Sequence, residues 1–232
     1  MSKVITVAQQ KGGAGKTTLA AHIAVALSQK GNRVAVIDID PQGSLSHWHK
    51  IREERFGEGY TGITFAAVSG WRVGGEVTRL RRQSDYVIID SPPHTETEAR
   101  SAIRSADIII IPVQPSPTDL WATKATLDLA KHEKIPVRVV LNRVSANSRL
   151  AQTIAAELPE LTKATLGNRV LFAASLMEGR CATEVDPSSM AAQEIKALVK
   201  EITALIADPV DEEEVVVSKK TSKKSQKELV DA

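Results

Sequence analysis

The chain has 232 residues, 42% of them hydrophobic but only 3% aromatic, with a formal net charge of +2. That is enough aliphatic residue to bury one sizeable core of Val, Ile, Leu and Ala, and too little net charge for bulk electrostatics to drive binding to a polyanion. A single cysteine, Cys181, excludes a disulfide framework, and no apolar run approaches the roughly 18 residues that a membrane-spanning helix needs.

In chain order the pattern alternates. Strands are expected at about 3–9, 33–38, 63–68, 85–90, 107–112 and 137–142, with two further short strands at 163–166 and 170–173. Helices are expected at about 16–30, 43–53, 73–82, 94–104, 118–132, 147–158 and 189–206. This alternation predicts an α/β fold, a doubly wound, mostly parallel sheet with helices on both faces. The last helix places Met190, Ile195, Leu198, Val199, Ile202, Leu205 and Ile206 on one stripe, a core-facing pattern. The domain is expected to occupy 1–207. Beyond it, 208–232 holds five lysines against seven acidic residues without periodicity and reads as a disordered charged tail, which leaves the body weakly basic. With a strand expected from residue 3, no secretory signal is read at the start of the chain.

The first strand, Val4-Ile5-Thr6-Val7-Ala8, runs into Lys11-Gly12-Gly13-Ala14-Gly15-Lys16-Thr17-Thr18 and then a helical stretch. Strand, glycine-rich loop and helix in that order form a phosphate cradle, since glycines let backbone N–H groups turn onto an anion and the helix N-terminus adds partial positive charge. Lys16 is the expected phosphate ligand and Thr17 the hydroxyl that holds Mg²⁺. The general loop pattern has a glycine where Gln10 stands, and a second lysine, Lys11, follows it. Two more apolar runs end in carboxylates: Val34 to Asp38 continues into Ile39-Asp40-Pro41-Gln42, and Tyr86 to Asp90 into Ser91-Pro92-Pro93. Ligands of parallel sheets sit at the C-terminal ends of the strands, so Asp38, Asp40 and Asp90 are expected beside the loop. His47-Trp48-His49 has no second ligand cluster and reads as a solvated helix face rather than a metal site.

KGGAGKTT, DIDPQGS and YVIIDSPP, in this order and spacing, resemble the ParA/MinD family of deviant Walker-type ATPases over about residues 1–207, and Ile108 to Ala122 is similar to its short, ParF-like members. The resemblance implies ATP and Mg²⁺ as cofactors, and an ATPase in which Lys11 crosses a homodimer interface to the partner's nucleotide. It implies that Gly12 to Thr18 bind nucleotide, that Asp40 positions the attacking water, that Asp38 supports the metal or the loop, and that Asp90 holds Mg²⁺ through water. Asn142 is either an adenine contact or a turn asparagine, and the Pro112–Asp119 loop either lines the adenine pocket or the dimer face or is a rigid connection. Arg169, Lys196 and Lys200 are the candidates for a non-specific DNA surface, each also readable as a solvated charge.

The function implied is a switch that partitions or positions cargo, plasmid DNA or a protein cluster such as chemoreceptors, with the nucleoid as matrix. It would be cytoplasmic, nucleoid-associated with ATP, and stimulated by a ParB-like or cargo-bound partner. The alternatives are a MinD-like membrane regulator, which the tail disfavours because it has no apolar stripe, and a ligase of the dethiobiotin synthetase type, which has no need of Lys11.

Overall fold

A computed structural model describes residues 1–93 and 96–207; the expected tail at 208–232 lies outside the described residues. The elements run β1 (Lys3–Val7), α1 (Lys16–Ser28), β2 (Val34–Asp38), α2 (Ser44–Phe56), β3 (Thr64–Ala67), a 3₁₀ turn (Gly70–Arg72), α3 (Val73–Leu80), β4 (Tyr86–Asp90), α4 (Glu96–Arg104), β5 (Ile108–Val113), α5 (Pro117–Glu133), β6 (Val137–Leu141), α6 (Arg149–Glu157), α7 (Val170–Met177), α8 (Ala182–Val185) and α9 (Met190–Ile206).

The six strands form one sheet in the order β3-β2-β4-β1-β5-β6, and every pairing is parallel. The strands are continuous apolar runs because both faces are covered. On one face α1 and α9 pack over Ile5, Val7, Val36, Ile88 and Ile110. On the other, Val77 and Leu80 of α3 cover Ile37 and Ile89. Ala130 of α5 and Ile154 of α6 pack with Ile109, Ile111 and Val139. Helix α1 is buried almost all round, from Leu19 to Leu27, which explains its lack of a polar face.

Register fixes the site. Val7 pairs with Asp90 and Ile110, and Asp38 pairs with Asp90. The ends of β1, β2 and β4 are therefore adjacent, and the loops that follow them share one edge of the sheet.

Four expectations change. Residues 163–166 form no strand; their neighbourhood contributes only single bridges, Leu161 to Val139 and Gly167 to Val144. Residues 170–173 begin helix α7, because a short apolar run does not discriminate strand from buried helix and Ala173-Ala174 extend the helical choice. On α9, Met190 and Leu205 are largely exposed, while Ala191 and Ala192 join the buried stripe. The His47-Trp48-His49 segment is not a solvated face: only His47 is exposed, while Trp48 and His49 are buried, His49 stacked on Phe65 with ring centroids 4.3 Å apart.

Candidate functional site: a glycine-rich loop facing three carboxylates

The loop after β1 depends on backbone geometry open to glycine. Gly13 and Gly15 have φ of 79° and 96°, in the left-handed region that side chains rarely adopt. At Gly15 space is also exhausted, since a Cβ there would lie 2.5 Å from Asn142 Nδ2. Asn142 follows β6 and holds the loop from outside: its Nδ2 donates to the Ala14 carbonyl at 2.8 Å, and its Oδ1 accepts from the Arg143 backbone N–H at 2.9 Å. Gln114 adds a second tie, donating from Nε2 to the Gly13 carbonyl at 2.7 Å. His22, one turn into α1, donates from Nδ1 to the Thr18 carbonyl at 2.7 Å and accepts at Nε2 from the Ala182 N–H at 3.1 Å.

Lys16 opens α1 with its side chain buried, and Nζ donates to the Lys11 carbonyl at 3.3 Å. Burial lowers its pKa, an effect that the charges of Asp90 and Asp40 oppose. Thr17 Oγ1 donates to Asp90 Oδ2 at 2.7 Å. The other Asp90 oxygen, Oδ1, is buried without a hydrogen-bond partner among the described residues. Burial pushes the Asp90 carboxyl up to about 7; the Thr17 hydrogen bond pulls it down, Asp38 raises it and Lys16 lowers it.

Asp38 faces its own loop. Oδ1 accepts from the Asp40 N–H at 3.0 Å, and Oδ2 accepts from the Ser46 N–H at 2.8 Å and the Ser46 hydroxyl at 2.6 Å. It thus pins the 39–43 turn and the start of α2. Asp40 is half-buried and accepts from the Gln42 N–H at 2.9 Å, which fixes the turn that carries it.

Two cavities meet at Gly15, Thr18 and Arg143. One, of about 600 Å³, is lined by Gly12, Gly13, Gly15, Lys16, Thr17, Thr18, Asp40, Gln42 and Pro93 among others. The second, of about 450 Å³, is more apolar, with Leu19, Asn142, Leu166, Phe172 and Met177 in its wall. A cavity lined by the glycine loop, Lys16 and Asp40, joined to a more apolar one, suits a phosphate chain attached to a flat ring.

The structure brings together Gly12 to Thr18, Asp38, Asp40, Asp90 and Asn142. Lys11 turns away from the cavity: its Nζ donates to the Asp119 carboxylate and, at 3.0 Å, to Thr118 Oγ1. The Pro112–Asp119 segment lines neither cavity; it braces the loop through Gln114 and Asp119. Arg169 lines the second cavity, which Gly15 and Thr18 of the loop also line, while Lys196 and Lys200 line neither cavity. Arg169 is ion-paired with Glu194 at 2.8 Å, Lys196 donates to the Pro187 carbonyl at 2.8 Å, and Lys200 is exposed. His22 is not among the expected site residues, and Gln114 and Asp119 enter only as part of the Pro112–Asp119 segment. The spacing of His22 four residues after Thr18, a helical turn, was the one local signal available for them.

A family model, the CobQ/CobB/MinD/ParA nucleotide-binding domain, matches residues 5–231. The chain belongs to this family. It is 30% identical over 214 residues to the maintenance of carboxysome distribution protein A of Halothiobacillus neapolitanus, covering 85% of this chain and 95% of that protein. It is 26% identical to the chromosome-partitioning ATPase Soj of Thermus thermophilus, over 88% of this chain and 96% of Soj. In fold it is similar to the septum site-determining protein MinD of Pyrococcus horikoshii, solved with Mg-ADP: TM-score 0.76, 21% identity, 89% of this chain and 98% of that one. The ParA/MinD resemblance read from the three motifs is thereby shown, and so is the expected α/β architecture of a mostly parallel sheet between helices, here with every strand pairing parallel. Among the described residues no helix is long and apolar enough to cross a membrane.

Proposed function

We propose that this ParA/MinD-family protein is a switch ATPase, dimeric with ATP, that partitions or positions intracellular cargo. The observation that carries the reading is the convergence, around one cavity, of the glycine loop, the Thr17–Asp90 pair and Asp40. The residues suit Mg²⁺ and a nucleotide: among the described residues the buried Asp90 Oδ1 lacks a partner, which a metal-bound water would supply, and the glycine loop and Lys16 line a cavity of about 600 Å³. Lys16 and the N–H groups of Gly13 to Thr18 hold the phosphates. Thr17, and Asp90 through water, would hold Mg²⁺, which would supply charge neutralisation on the phosphates.

Asp40 orients the water that attacks the γ-phosphorus as the bond to ADP breaks, and Asp38 sets the turn that aims it. Asn142 acts on the nucleotide through the loop, since its amide is spent on Ala14 and Arg143. The apolar cavity takes the base. Lys11 of a second copy completes the charge at the γ-phosphate, so hydrolysis removes a group that both subunits grip and the dimer loosens.

The cargo reading draws on the relatives that distribute carboxysomes and partition chromosomes. Plasmid DNA or a protein cluster such as chemoreceptors fits the same scheme, with the nucleoid as matrix in the cytoplasm and a ParB-like or cargo-bound partner that stimulates turnover. Arg169, Lys196 and Lys200 are the proposed phosphate contacts to DNA, with Arg169 leaving Glu194 to make its own. The test is retardation of non-specific duplex DNA by the full chain with ATP and Mg²⁺, alongside phosphate release. ATP-specific retardation that weakens steeply with salt supports the reading. Equal retardation with ADP, or none with either nucleotide, refutes the DNA-bound state; absence of phosphate release refutes the ATPase.

A further inference from the structure

Lys11 is assigned above to a second subunit's nucleotide, yet in the single chain it is held by two groups of its own fold. Its side chain is about one-third exposed, and Nζ meets the carboxylate of Asp119 and the hydroxyl of Thr118 in the first turn of α5. Asp119 is 1% exposed, so this is not a surface pair that thermal motion makes and breaks at no cost. The carboxylate is built in: Oδ2 also accepts from the Ser116 hydroxyl, and Oδ1 from the Gln114 N–H at 3.4 Å. Gln114 in turn donates to the Gly13 carbonyl. The β5–α5 connection therefore grips the glycine loop at both Lys11 and Gly13.

One lysine cannot serve both places. From these contacts we infer that Asp119 is a positioning residue acting through Lys11: it retains the lysine on its own subunit until nucleotide releases it, and so sets the protein concentration at which the ATP dimer forms. This rests on the dimeric ATPase reading and deepens it. The release is wired to the phosphate site. Lys16 Nζ, the expected phosphate ligand, donates to the backbone carbonyl of Lys11. A phosphate that draws Lys16 into the cavity removes that hold on residue 11 and frees the segment bearing the parked side chain. Asp119 keeps three ties after Lys11 leaves, to the Ser116 hydroxyl, the Gln114 N–H and, through its own N–H, the Ser116 Oγ at 3.1 Å, so its burial survives the exchange.

The experiment is sedimentation of the full chain over a concentration series with Mg²⁺ and a non-hydrolysable ATP analogue. It compares wild type, Asp119→Asn, Lys11→Ala and the Lys11→Ala/Asp119→Asn double variant. Asp119→Asn keeps the shape and one acceptor oxygen, turns the other acceptor into an N–H₂ donor, and removes the charge that holds Lys11; its dimerisation midpoint is expected at about fivefold to tenfold lower protein concentration than wild type. Lys11→Ala is expected to dimerise poorly, and Asp119→Asn to produce no gain in that background; a merely structural role for Asp119 would act equally with or without Lys11. An unchanged or raised midpoint in folded Asp119→Asn overturns the inference. If that variant does not fold, Thr118→Val takes its place. It removes the exposed second acceptor of Lys11 together with the Thr118–Ser116 hydroxyl contact, and leaves the Asp119 carboxylate in place, with an expected midpoint about twofold lower, and no shift there overturns the inference. Failure of the underlying reading looks different: wild type stays monomeric with the analogue, or Lys11→Ala dimerises normally, and either result removes the trans role of Lys11 and the inference with it.

Discussion

His22 gives the fold a measurable acid sensitivity. It is fully buried on α1, its ring edge-on to Phe172 with centroids 5.2 Å apart. The hydrogen bonds define the tautomer. The Ala182 N–H can only donate, so Nε2 is the acceptor and Nδ1 carries the proton given to the Thr18 carbonyl. Protonating Nε2 would set its N–H against the Ala182 N–H, with the Ser175 hydroxyl at 3.5 Å as the neighbouring oxygen. Burial therefore lowers the pKa to about 4 from an ordinary value of 6.5, only partly offset by the Thr18 bond and the charge of Glu184. The unfolded chain binds the proton first as pH falls. Stability from this group is complete above about pH 6.5 and is lost progressively down to about pH 4, by roughly 3 kcal/mol in all.

Asp90 works in the opposite direction over an overlapping window. Its folded value near 7 lies above the ordinary 3.8, so its contribution is present at low pH and lost as pH rises towards 7. A single stability profile mixes the two, and the difference between wild type and His22→Gln isolates the histidine. Gln is neutral at every pH, so the loss of stability between pH 7 and about pH 4.5 should be about 2–3 kcal/mol smaller in the variant, whatever constant penalty the substitution adds. Urea titrations at several pH values measure this. Parallel profiles, with a difference constant to within about 0.5 kcal/mol, would refute the buried neutral tautomer.

Two further outcomes follow from the site. Asp40→Ala should retain nucleotide affinity and ATP-dependent dimers while turnover falls about 10²-fold or more, as loss of a water-orienting group requires; normal phosphate release with a short-lived dimer would show that Asp40 only shapes its turn. Asn142→Ala strips the buried Ala14 carbonyl of its donor and should cost about 1–3 kcal/mol in nucleotide affinity through the loop, read by calorimetry; an affinity that changes for the base alone, with a base-free triphosphate bound as before, would return Asn142 to direct contact with adenine.

The parts of the site that were legible in sequence are those where local chemistry and chain order coincide. Glycines at 13 and 15 foretell left-handed turns, and an apolar run that ends in aspartate foretells a carboxylate at the C-terminal edge of a parallel sheet. What stayed hidden depends on which distant element arrives beside a residue. His47-Trp48-His49 reads as polar, but the 177–181 loop closes over α2. There the Trp48 indole donates to the Arg180 carbonyl, and a Cβ on Gly179 would come within 2.5 Å of the Arg52 backbone. The Val170-Leu171-Phe172 run has strand chemistry, but the sheet ends at β6 and the segment instead lies as a helix along the more apolar cavity. Lys11 shows the limit most sharply. Its departure from the usual loop pattern marks it as functional, and nothing within the loop says what holds it. The holder, Asp119, is 108 residues away, in a helix start that by itself reads as ordinary capping: Ser116 as cap, Pro117 first in the helix, an acidic residue in the first turn. The same aspartate that completes this local pattern also holds the distant lysine, so an ordinary cap and a control point on the glycine loop are one side chain.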